Sequence, residues 1–403
     1  MNKSTAQNLT LVEFVLLMAL LISLIALSID AMLPALSNIG KDLGVERIND
    51  SQFVISVLFL GLAVGQLFYG PLSDSIGRKP AIYAGLGLFV IGCILSIVSQ
   101  NLTLMLVGRF LQGLGAAGPR IVTVALVRDL YEGRAMARIM SLVMTTFVFV
   151  PAFAPALGQG IIFISHWRMI FVLFLVLAII AGTWFGFRQH ETLPASQHQR
   201  FSLRQIALSA REVLANRFAF GYSIATGLVF APFIGYLTSA QQILQEQFGL
   251  GTQFPLYFAV LALSVGAASF ANAKLVLQYG MRLLSWRAVQ VLSIASIAYF
   301  GVAVFFAGTP PLWTLMVWGI VSFFCIGMLF ANFNAMAMEP LGHIAGVGAA
   351  VIGSMTMFIS LIFGTWIGQM YNGTILPLVG GFALMGVATL LVMYWTESTS
   401  QSA

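Results

Sequence analysis

Long apolar runs separated by short polar turns occupy almost the whole chain. Each run has about 20 to 28 residues, which is enough for a helix to cross a hydrocarbon core of about 30 Å at about 1.5 Å per residue. Apolar length and turn signals predict spans near residues 11–36, 50–71, 80–98, 103–128, 138–164, 167–187, 216–241, 254–273, 285–307, 312–338, 345–371 and 374–396. This pattern predicts an all-α membrane protein with twelve transmembrane helices.

The least apolar stretch of the interior separates the sixth span from the seventh. Its basic residues are Arg188, Arg200, Arg204, Arg211 and Arg217, with His190 and His198 among them. We therefore predict two pseudo-symmetric six-helix bundles, over residues 1–187 and 216–403, joined by a cytoplasmic linker over residues 188–215.

A faint internal repeat supports the division into halves. Gly77-Arg78-Lys79 follows the second span, and Gly280-Met281-Arg282 follows the eighth. Leu277 takes the place of Asp74 in the second copy, so the carboxylate is absent there. Paired halves with weak internal symmetry are typical of transporters that alternate access around a site at mid-membrane.

The charge distribution indicates membrane topology. Hydrophobic residues make up 59% of the chain and charged residues only 8%, against about a quarter charged in soluble domains. With both termini in the cytoplasm, fourteen basic residues lie inside and three outside, a strong positive-inside bias. The inner set is Lys3, Arg78, Lys79, Arg128, Arg134, Arg138, the five linker arginines, Lys274, Arg282 and Arg287; the outer set is Lys41, Arg47 and Arg168. The net charge of +6 therefore does not indicate nucleic-acid binding.

The sequence does not contain the motifs that are typical of several other functional classes. Cys93 and Cys325 fall inside apolar spans of different halves, so we expect packing rather than a disulfide or a metal site. Residues 113–118 match a dinucleotide-binding glycine pattern, but they lie inside an apolar helix with no preceding strand. The chain has no ATP-binding Gly-x-x-x-x-Gly-Lys-Ser/Thr loop and no protease or hydrolase motif, so we expect no cofactor and no enzyme. The polar start and the long first run differ from a signal peptide, so the first helix is expected to remain.

The turn between the second and third spans carries the most specific motif. It reads Gly-Gln-Leu-Phe-Tyr-Gly-Pro-Leu-Ser-Asp-Ser-Ile-Gly-Arg-Lys-Pro over residues 65–80. Taken alone, this is a polar loop anchoring two membrane helices. Its pattern resembles the signature between helices 2 and 3 of the major facilitator superfamily. The matching positions are Gly65, Gly70, Pro71, Asp74, Gly77, Arg78 and Lys79.

Further stretches narrow this resemblance. Residues 109–113, Arg-Phe-Leu-Gln-Gly, resemble the proton-coupling element of the family's fourth helix. Pro151, Pro155 and Gly158 resemble a degenerate helix 5 motif of drug:proton antiporters, although such residues bend any membrane helix. Residues 128–131, 190–193 and 338–346 resemble the bicyclomycin and chloramphenicol resistance branch of these antiporters. The resemblance implies the major facilitator fold, with a proton gradient as the energy source.

Asp30 is the only carboxylate well inside the first span. A charge at membrane depth costs about 2.5 to 3.5 kcal/mol on insertion scales, so it normally faces a wet cavity or a partner. Asp30 and Arg109 each lie roughly 9 Å from the outer ends of their spans, which places them level. Our hypothesis is that Asp30 binds and releases a proton while Arg109 tunes its ionisation. A static buried ion pair is the alternative.

One face of the fourth span is polar. Arg109 and Arg120 differ by 20° around an ideal helix, and Gln112 lies within about 60° of Arg109. This stripe is predicted to line a cavity, with Gln112 assisting proton coupling. For Arg120 three roles remain open: binding an anionic group, pairing with Asp30 in another state, or a purely structural contact.

Two other sets of residues are candidates for gating and drug binding. Asp74 is expected to meet the positive N-terminal end of the eleventh helix, and Arg78 to pair with Asp129, so that both contacts hold an inner gate shut. The alternative is that these charges are merely solvated. In the seventh span, Phe230, Phe233 and Tyr236 either line a drug pocket or pack against helices and lipid.

We therefore predict a proton-coupled multidrug efflux antiporter of the bacterial inner membrane that works by alternating access. Its expected partners are a small amphipathic drug, such as a phenicol or a bicyclomycin-like compound, protons and the lipid bilayer, and a monomer is expected. The alternatives are a metabolite exporter or proton symporter on the same fold, and a membrane sensor or scaffold.

Overall fold

The computed structural model describes residues 9–398, and every regular element within that range is a helix. Lys3, one of the basic residues assigned to the inner side, lies outside the described residues. The first half contains α1 (Leu11–Asp30), α2 (Leu36–Asp42), α3 (Phe53–Ile76), α4 (Arg78–Val98), α5 (Leu102–Leu130), α6 (Gly133–Ile164) and α7 (Arg168–Arg188). After α8 (Leu203–Ala215) come α9 (Arg217–Gln241), α10 (Phe254–Tyr279), α11 (Met281–Phe305), α12 (Leu312–Met338), α13 (Ala345–Gln369) and α14 (Leu376–Glu397).

The predicted spans correspond closely to these helices. The first span is α1 continued by a 3₁₀ turn, Leu33–Ala35, and α2; the others are α3 to α7 and α9 to α14. Within residues 9–398, length and hydropathy mark eleven membrane-crossing segments, because the continuous stretch Leu312–Gln369 contains both α12 and α13. The all-α fold is confirmed, and α8 is an additional helix within the predicted linker.

Glycines in a left-handed conformation end equivalent helices in the two halves. Gly77 follows α3 with φ of 100°, and Gly280 follows α10 with φ of 74°. Residues with a β-carbon rarely adopt this conformation, whereas glycine does so at little cost. The backbone therefore repeats the turn that the sequence repeat indicates, although the side-chain charge of Asp74 has no counterpart.

The glycines of α5 allow unusually close helix packing. A β-carbon at Gly113 would lie 1.9 Å from the Leu58 carbonyl oxygen of α3, and one at Gly115 would lie 2.4 Å from the Phe89 nitrogen of α4. Gly65 faces Leu114 of α5 in the same way, at 2.8 Å from its carbonyl oxygen. Small residues that bring backbones together are typical of membrane helix interfaces. The glycines at residues 113–118 therefore allow α5 to pack closely against α3 and α4.

The two halves meet along α3 with α13 and along α6 with α10. We call the side on which α7, α8 and α9 are connected the linker side, and the opposite side the far side. Near mid-membrane, Ser354 Oγ of α13 donates to the Ala63 carbonyl of α3 at 2.7 Å. We call the region of the molecule between these two lines of contact the cleft.

Candidate functional site

Arg109 of α5 is completely buried and donates three hydrogen bonds. Its guanidinium donates to the Val54 carbonyl of α3 at 2.9 Å, to the Ser28 carbonyl of α1 at 2.8 Å, and to Gln112 Oε1 at 2.5 Å. Gln112 in turn donates to Ser96 Oγ of α4 at 3.1 Å. The cation therefore ties α1, α3 and α5 together through main-chain carbonyls.

Asp30 does not form the predicted ion pair with Arg109. It lies at the end of α1 and is only 4% exposed, yet no hydrogen bond or salt bridge to it occurs among residues 9–398. Arg109 reaches the carbonyl two residues before Asp30, so the two side chains are near the same depth, but Arg109 donates to two main-chain carbonyls and Gln112 rather than to Asp30. The static ion pair is therefore wrong for this conformation.

The electrostatic neighbour of Asp30 is Tyr236, across the cleft on α9. The Tyr236 hydroxyl is buried and has no hydrogen-bond partner in the described part of the chain. A buried hydroxyl without a hydrogen-bond partner is destabilising, and such groups are uncommon in native proteins. The acid of one half and an unsatisfied phenol of the other are therefore within electrostatic range of each other.

Tyr236 belongs to an aromatic cluster made by α9, α10 and α12. Its ring stacks on Phe258 with centroids 5.8 Å apart and meets Phe323 edge-on at 4.9 Å. Phe233 contacts Phe323 at 5.4 Å and Phe230 at 5.0 Å. Phe230 also contacts Phe330, with ring centroids 5.2 Å apart. We call these rings the aromatic cluster: Phe230, Phe233, Tyr236, Phe258, Phe323 and Phe330.

Arg120 lies farther toward the linker side and is half-buried. Eleven residues of α5 separate it from Arg109, which corresponds to roughly 16 Å along the helix axis. No hydrogen bond or ion pair involves Arg120 in the part of the chain that the structure describes. The alternative in which it pairs with Asp30 is not formed here, and this axial separation is much longer than a salt bridge.

The helix 5 candidates lie inside a continuous α6. Pro151 and Pro155 are both within Gly133–Ile164, and no break in the helix accompanies them. Gly158 packs directly against α1, where a β-carbon would lie 1.7 Å from the Ala31 carbonyl oxygen. The predicted hinge stretch is therefore the surface against which the residue after Asp30 rests.

The charged turn between α3 and α4 forms a compact cluster on the linker side. Arg78 Nε donates to Asp129 Oδ2 of α5 at 2.8 Å, and Arg78 Nη1 donates to Asp74 Oδ1 at 2.5 Å. The structure thus contains the predicted Arg78–Asp129 pair. The expected contact of Asp74 with the start of α13 is absent among the described residues. A β-carbon at Gly70 of α3 or Gly346 of α13 would have no neighbour within 4 Å, so neither glycine is tightly packed at the linker-side end of its helix.

Glu191, which the sequence interpretation gave no role, is the cap of α4. Its carboxylate accepts from the backbone nitrogens of Arg78 at 3.0 Å, Lys79 at 2.8 Å, and Thr192 and Leu193 both at 2.9 Å. Desolvation raises the pKa of Glu191, but these donors outweigh it and hold the pKa below its ordinary value of 4.5. The sequence feature that points to such a cap is Gly77, which has no side chain to cap the helix that follows it.

Replacing Glu191 with glutamine is expected to loosen the start of α4. The charge that four backbone donors share would be lost, and hydrogen exchange of the peptide containing Arg78 and Lys79 should become about tenfold faster near neutral pH. Since the folded-state pKa is depressed, the difference from the parent should shrink as pH falls below 4.5 toward the folded pKa. Glu132→Gln is the control, because Glu132 precedes α6 without capping it. Equal exchange in the two variants would contradict this role.

A network of neutral amides closes the far side, and its members were not predicted. Asn49 Nδ2 donates to the carbonyls of Gln369 at 3.0 Å and Tyr371 at 2.8 Å. Gln242 Nε2 donates to Asn49 Oδ1 at 2.9 Å, and Gln52 Nε2 donates to Gln242 Oε1 at 2.6 Å. These residues belong to both halves and lie at the ends of their spans. Hydrogen bonds therefore join the two halves on the far side, whereas none joins the linker-side ends of α3 and α13 among the described residues.

Comparison with known proteins identifies the fold and the family. The family model described as Major Facilitator Superfamily matches residues 18–365. A bicyclomycin resistance protein homolog of Haemophilus influenzae is 26% identical over 395 residues, 96% of each chain. Multidrug resistance protein D of Escherichia coli K12 is 26% identical over 346 residues, 85% of each chain. The xylose transporter XylE of E. coli, in a partially occluded inward-open conformation, aligns with a TM-score of 0.71 at 12% identity, covering 96% of this chain and 97% of that one.

These matches agree with the architecture of two helical halves around a cleft. The resemblance inferred from the turn at residues 65–80 is confirmed. This multi-pass membrane chain belongs to the Major Facilitator Superfamily, a family of transporters.

Proposed function

We propose that the chain is a proton-coupled antiporter of the bacterial inner membrane that exports amphipathic drugs by alternating access. It would work as a monomer, take its energy from the proton gradient and need no cofactor. The relatives named for bicyclomycin and multidrug resistance support drug export as the general activity. The phenicol-like or bicyclomycin-like character of the drug is part of the proposal.

The observation that carries the proposal is the isolation of Asp30. A buried carboxylate without a cation is stable only when it is protonated or when water or a bound molecule compensates its charge. Among the described residues no cation pairs with Asp30, and Arg109 donates instead to two main-chain carbonyls and to Gln112. A structural ion pair would hold one charge state permanently, whereas an unpaired acid at the cleft is free to change its state with its surroundings.

The aromatic cluster provides the complementary surface for a drug. Phe230 and Phe233 are half-buried, and the Tyr236 hydroxyl, which has no hydrogen-bond partner among the described residues, is close enough to Asp30 to be affected by its charge. Ligand pockets typically combine such apolar walls with a few polar groups that fix orientation. A drug seated against these rings would offer the Tyr236 hydroxyl an acceptor and would sit next to the proton-binding acid.

The transport cycle follows from the two ends of the cleft. The positive-inside bias supports a cytoplasmic linker side; the amide network would then close the external side in the state described here. A drug entering from the cytoplasm would favour loss of the Asp30 proton to that side. Closure of the linker side and separation of the amides would then expose the drug outside, where the proton concentration reprotonates Asp30 and drives release.

Vesicles of known orientation test this proposal. When the linker side faces the outer medium, acidifying the lumen should drive drug accumulation inside the vesicles, and a proton ionophore should abolish it. Accumulation driven by acid in the outer medium would instead show a proton symporter. No drug-dependent proton flux in either orientation would contradict transport and favour a sensor or scaffold.

A further inference from the structure

Arg120 differs from Arg78 and Arg109, the two buried arginines of the first half. Arg109 has three acceptors, and Arg78 binds two carboxylates. Arg120 is ten residues from the linker-side end of α5, or about 15 Å deep, and has no hydrogen bond or ion pair within residues 9–398. Deep charges are normally paired or mark a pathway, so an unpaired guanidinium here requires a partner from elsewhere.

The packing of α5 shows which way this side chain points. Gly118 packs on the Tyr69 ring of α3, and Pro119 packs against Gly85 of α4. Around the helix, Arg120 is turned about 100° from Pro119 and 200° from Gly118. It is therefore turned away from both α4 and α3. Its face is the one that Arg109 presents to α1. Ideal helix geometry thus directs Arg120 away from the surfaces with which α5 packs on α3 and α4, its two most extensive helix contacts.

Other polar atoms near this part of the cleft also lack partners. Thr123, one turn after Arg120 and within about 60° of its face, is fully buried with an unsatisfied Oγ1. Gln66 lies on α3 opposite Gly353 of α13, is 8% exposed, and its Nε2 has no acceptor. This part of the described chain thus contains a cation and hydrogen-bond donors for which no acceptor is present among the described residues.

No carboxylate of the described chain is placed to pair with Arg120. Asp30 lies at the depth of Arg109, roughly 16 Å away along α5. Asp74 and Asp129 are bound to Arg78. Glu339 follows the linker-side end of α12, which is about 15 Å nearer the surface than Arg120.

Arg120 lies at about the same depth as two aromatic side chains of the second half. Phe330 lies eight residues from the end of α12 and Phe230 lies thirteen residues from the start of α9, or about 12 and 20 Å from the linker side. Arg120, at about 15 Å, falls between them. A molecule bound at this level would contact a guanidinium on one side and ring faces on the other.

We propose that Arg120 binds an acidic group of the transported drug, so that the preferred cargo is an aromatic amphiphile carrying a carboxylate or sulfonate. This inference rests on the proposed function and replaces its uncharged phenicol-like or bicyclomycin-like drug with an acidic amphiphile as the preferred cargo. When the linker side closes and water leaves the cleft, an unpaired guanidinium would oppose closure. An anionic cargo removes that penalty, because the bidentate geometry of guanidinium suits carboxylate and sulfonate oxygens. Arg120 thereby acts as a specificity-determining residue, separate from the proton exchange at Asp30.

Two fluorescent probes that differ chiefly in one acidic group test this inference. 1-Anilinonaphthalene-8-sulfonate is anionic, and N-phenyl-1-naphthylamine has the same ring system without the sulfonate. Saturable binding of each probe is titrated with the purified full-length protein in neutral-lipid nanodiscs. In Arg120→Gln, the affinity for the sulfonate should fall by about tenfold or more, while the affinity for the neutral amine stays unchanged. Arg120→Lys should retain part of the preference.

Arg128→Gln is the matched control, since Arg128 is an exposed arginine two turns further along α5. It should change neither affinity. Equal loss of both probes in Arg120→Gln would show a structural role and overturn the proposal, as would unchanged binding of the sulfonate. These outcomes are distinct from failure of the proposed function, because proton-driven transport of the neutral amine by the parent protein decides that function independently.

Discussion

Asp30→Asn is expected to abolish proton-driven drug accumulation while leaving drug–drug exchange across the membrane intact. Asparagine has nearly the shape of aspartate and cannot bind or release a proton, so the halves can still move around the drug without coupling to the gradient. Accumulation in acid-loaded proteoliposomes should fall to the level of liposomes without protein. Exchange of labelled for unlabelled drug, measured without a pH gradient, should persist.

A matched control for this change is Asp50→Asn. Asp50 lies on the far side in the 3₁₀ turn Ile48–Gln52 and is outside the deep cleft. It should leave both accumulation and exchange at parental levels. If Asp30→Asn accumulated drug as well as the parent, the proton would have to be carried by another group. If it lost exchange as well as accumulation, Asp30 would be required for movement or binding rather than coupling.

Gly158→Ala is expected to destabilise the protein strongly. The added β-carbon would lie 1.7 Å from the Ala31 carbonyl oxygen, so the backbones of α1 and α6 would have to separate next to Asp30. Overpacking a close-packed interior typically costs about 1–3 kcal/mol, and here backbone rather than a flexible side chain must yield. The midpoint of thermal unfolding, followed by tryptophan fluorescence in detergent, should fall by several degrees.

The control for this substitution lies two residues away on the same helix. A β-carbon at Gly160 meets nothing within 4 Å, and alanine has a helix propensity about 1 kcal/mol better than glycine. Gly160→Ala should therefore unfold at the same temperature as the parent or slightly higher. Equal unfolding midpoints for the two variants would contradict the close contact of α1 with α6.

The helices of this fold were predictable because their physical cause is local. A run of apolar residues long enough to cross the bilayer must satisfy its backbone internally, so hydropathy locates each span within a few residues. The turn at Gly77 was equally accessible, since a charged turn between apolar spans with glycine at its end has few conformations. The Arg78–Asp129 pair followed from the family resemblance.

The partners of the deep polar residues were not predictable in the same way. Matching charges suggested that Arg109 would pair with Asp30, but its donors go to the carbonyls of Ser28 and Val54. Every residue carries a carbonyl, so sequence pattern alone does not reveal which one a helix crossing will bring within reach. Glu191 and the amide network depend likewise on contacts between distant segments, as between Asn49 and Gln369.

Proton release on drug binding tests the central claim most directly. The purified protein, in weakly buffered detergent solution containing a pH indicator, is mixed with a saturating amount of a transported, non-titrating drug. The proposed mechanism predicts that the parent releases protons as the drug binds, and that Asp30→Asn binds the drug but releases none. Drug binding by the parent without proton release, or the same release from Asp30→Asn, would contradict exchange of a proton for cargo at this residue.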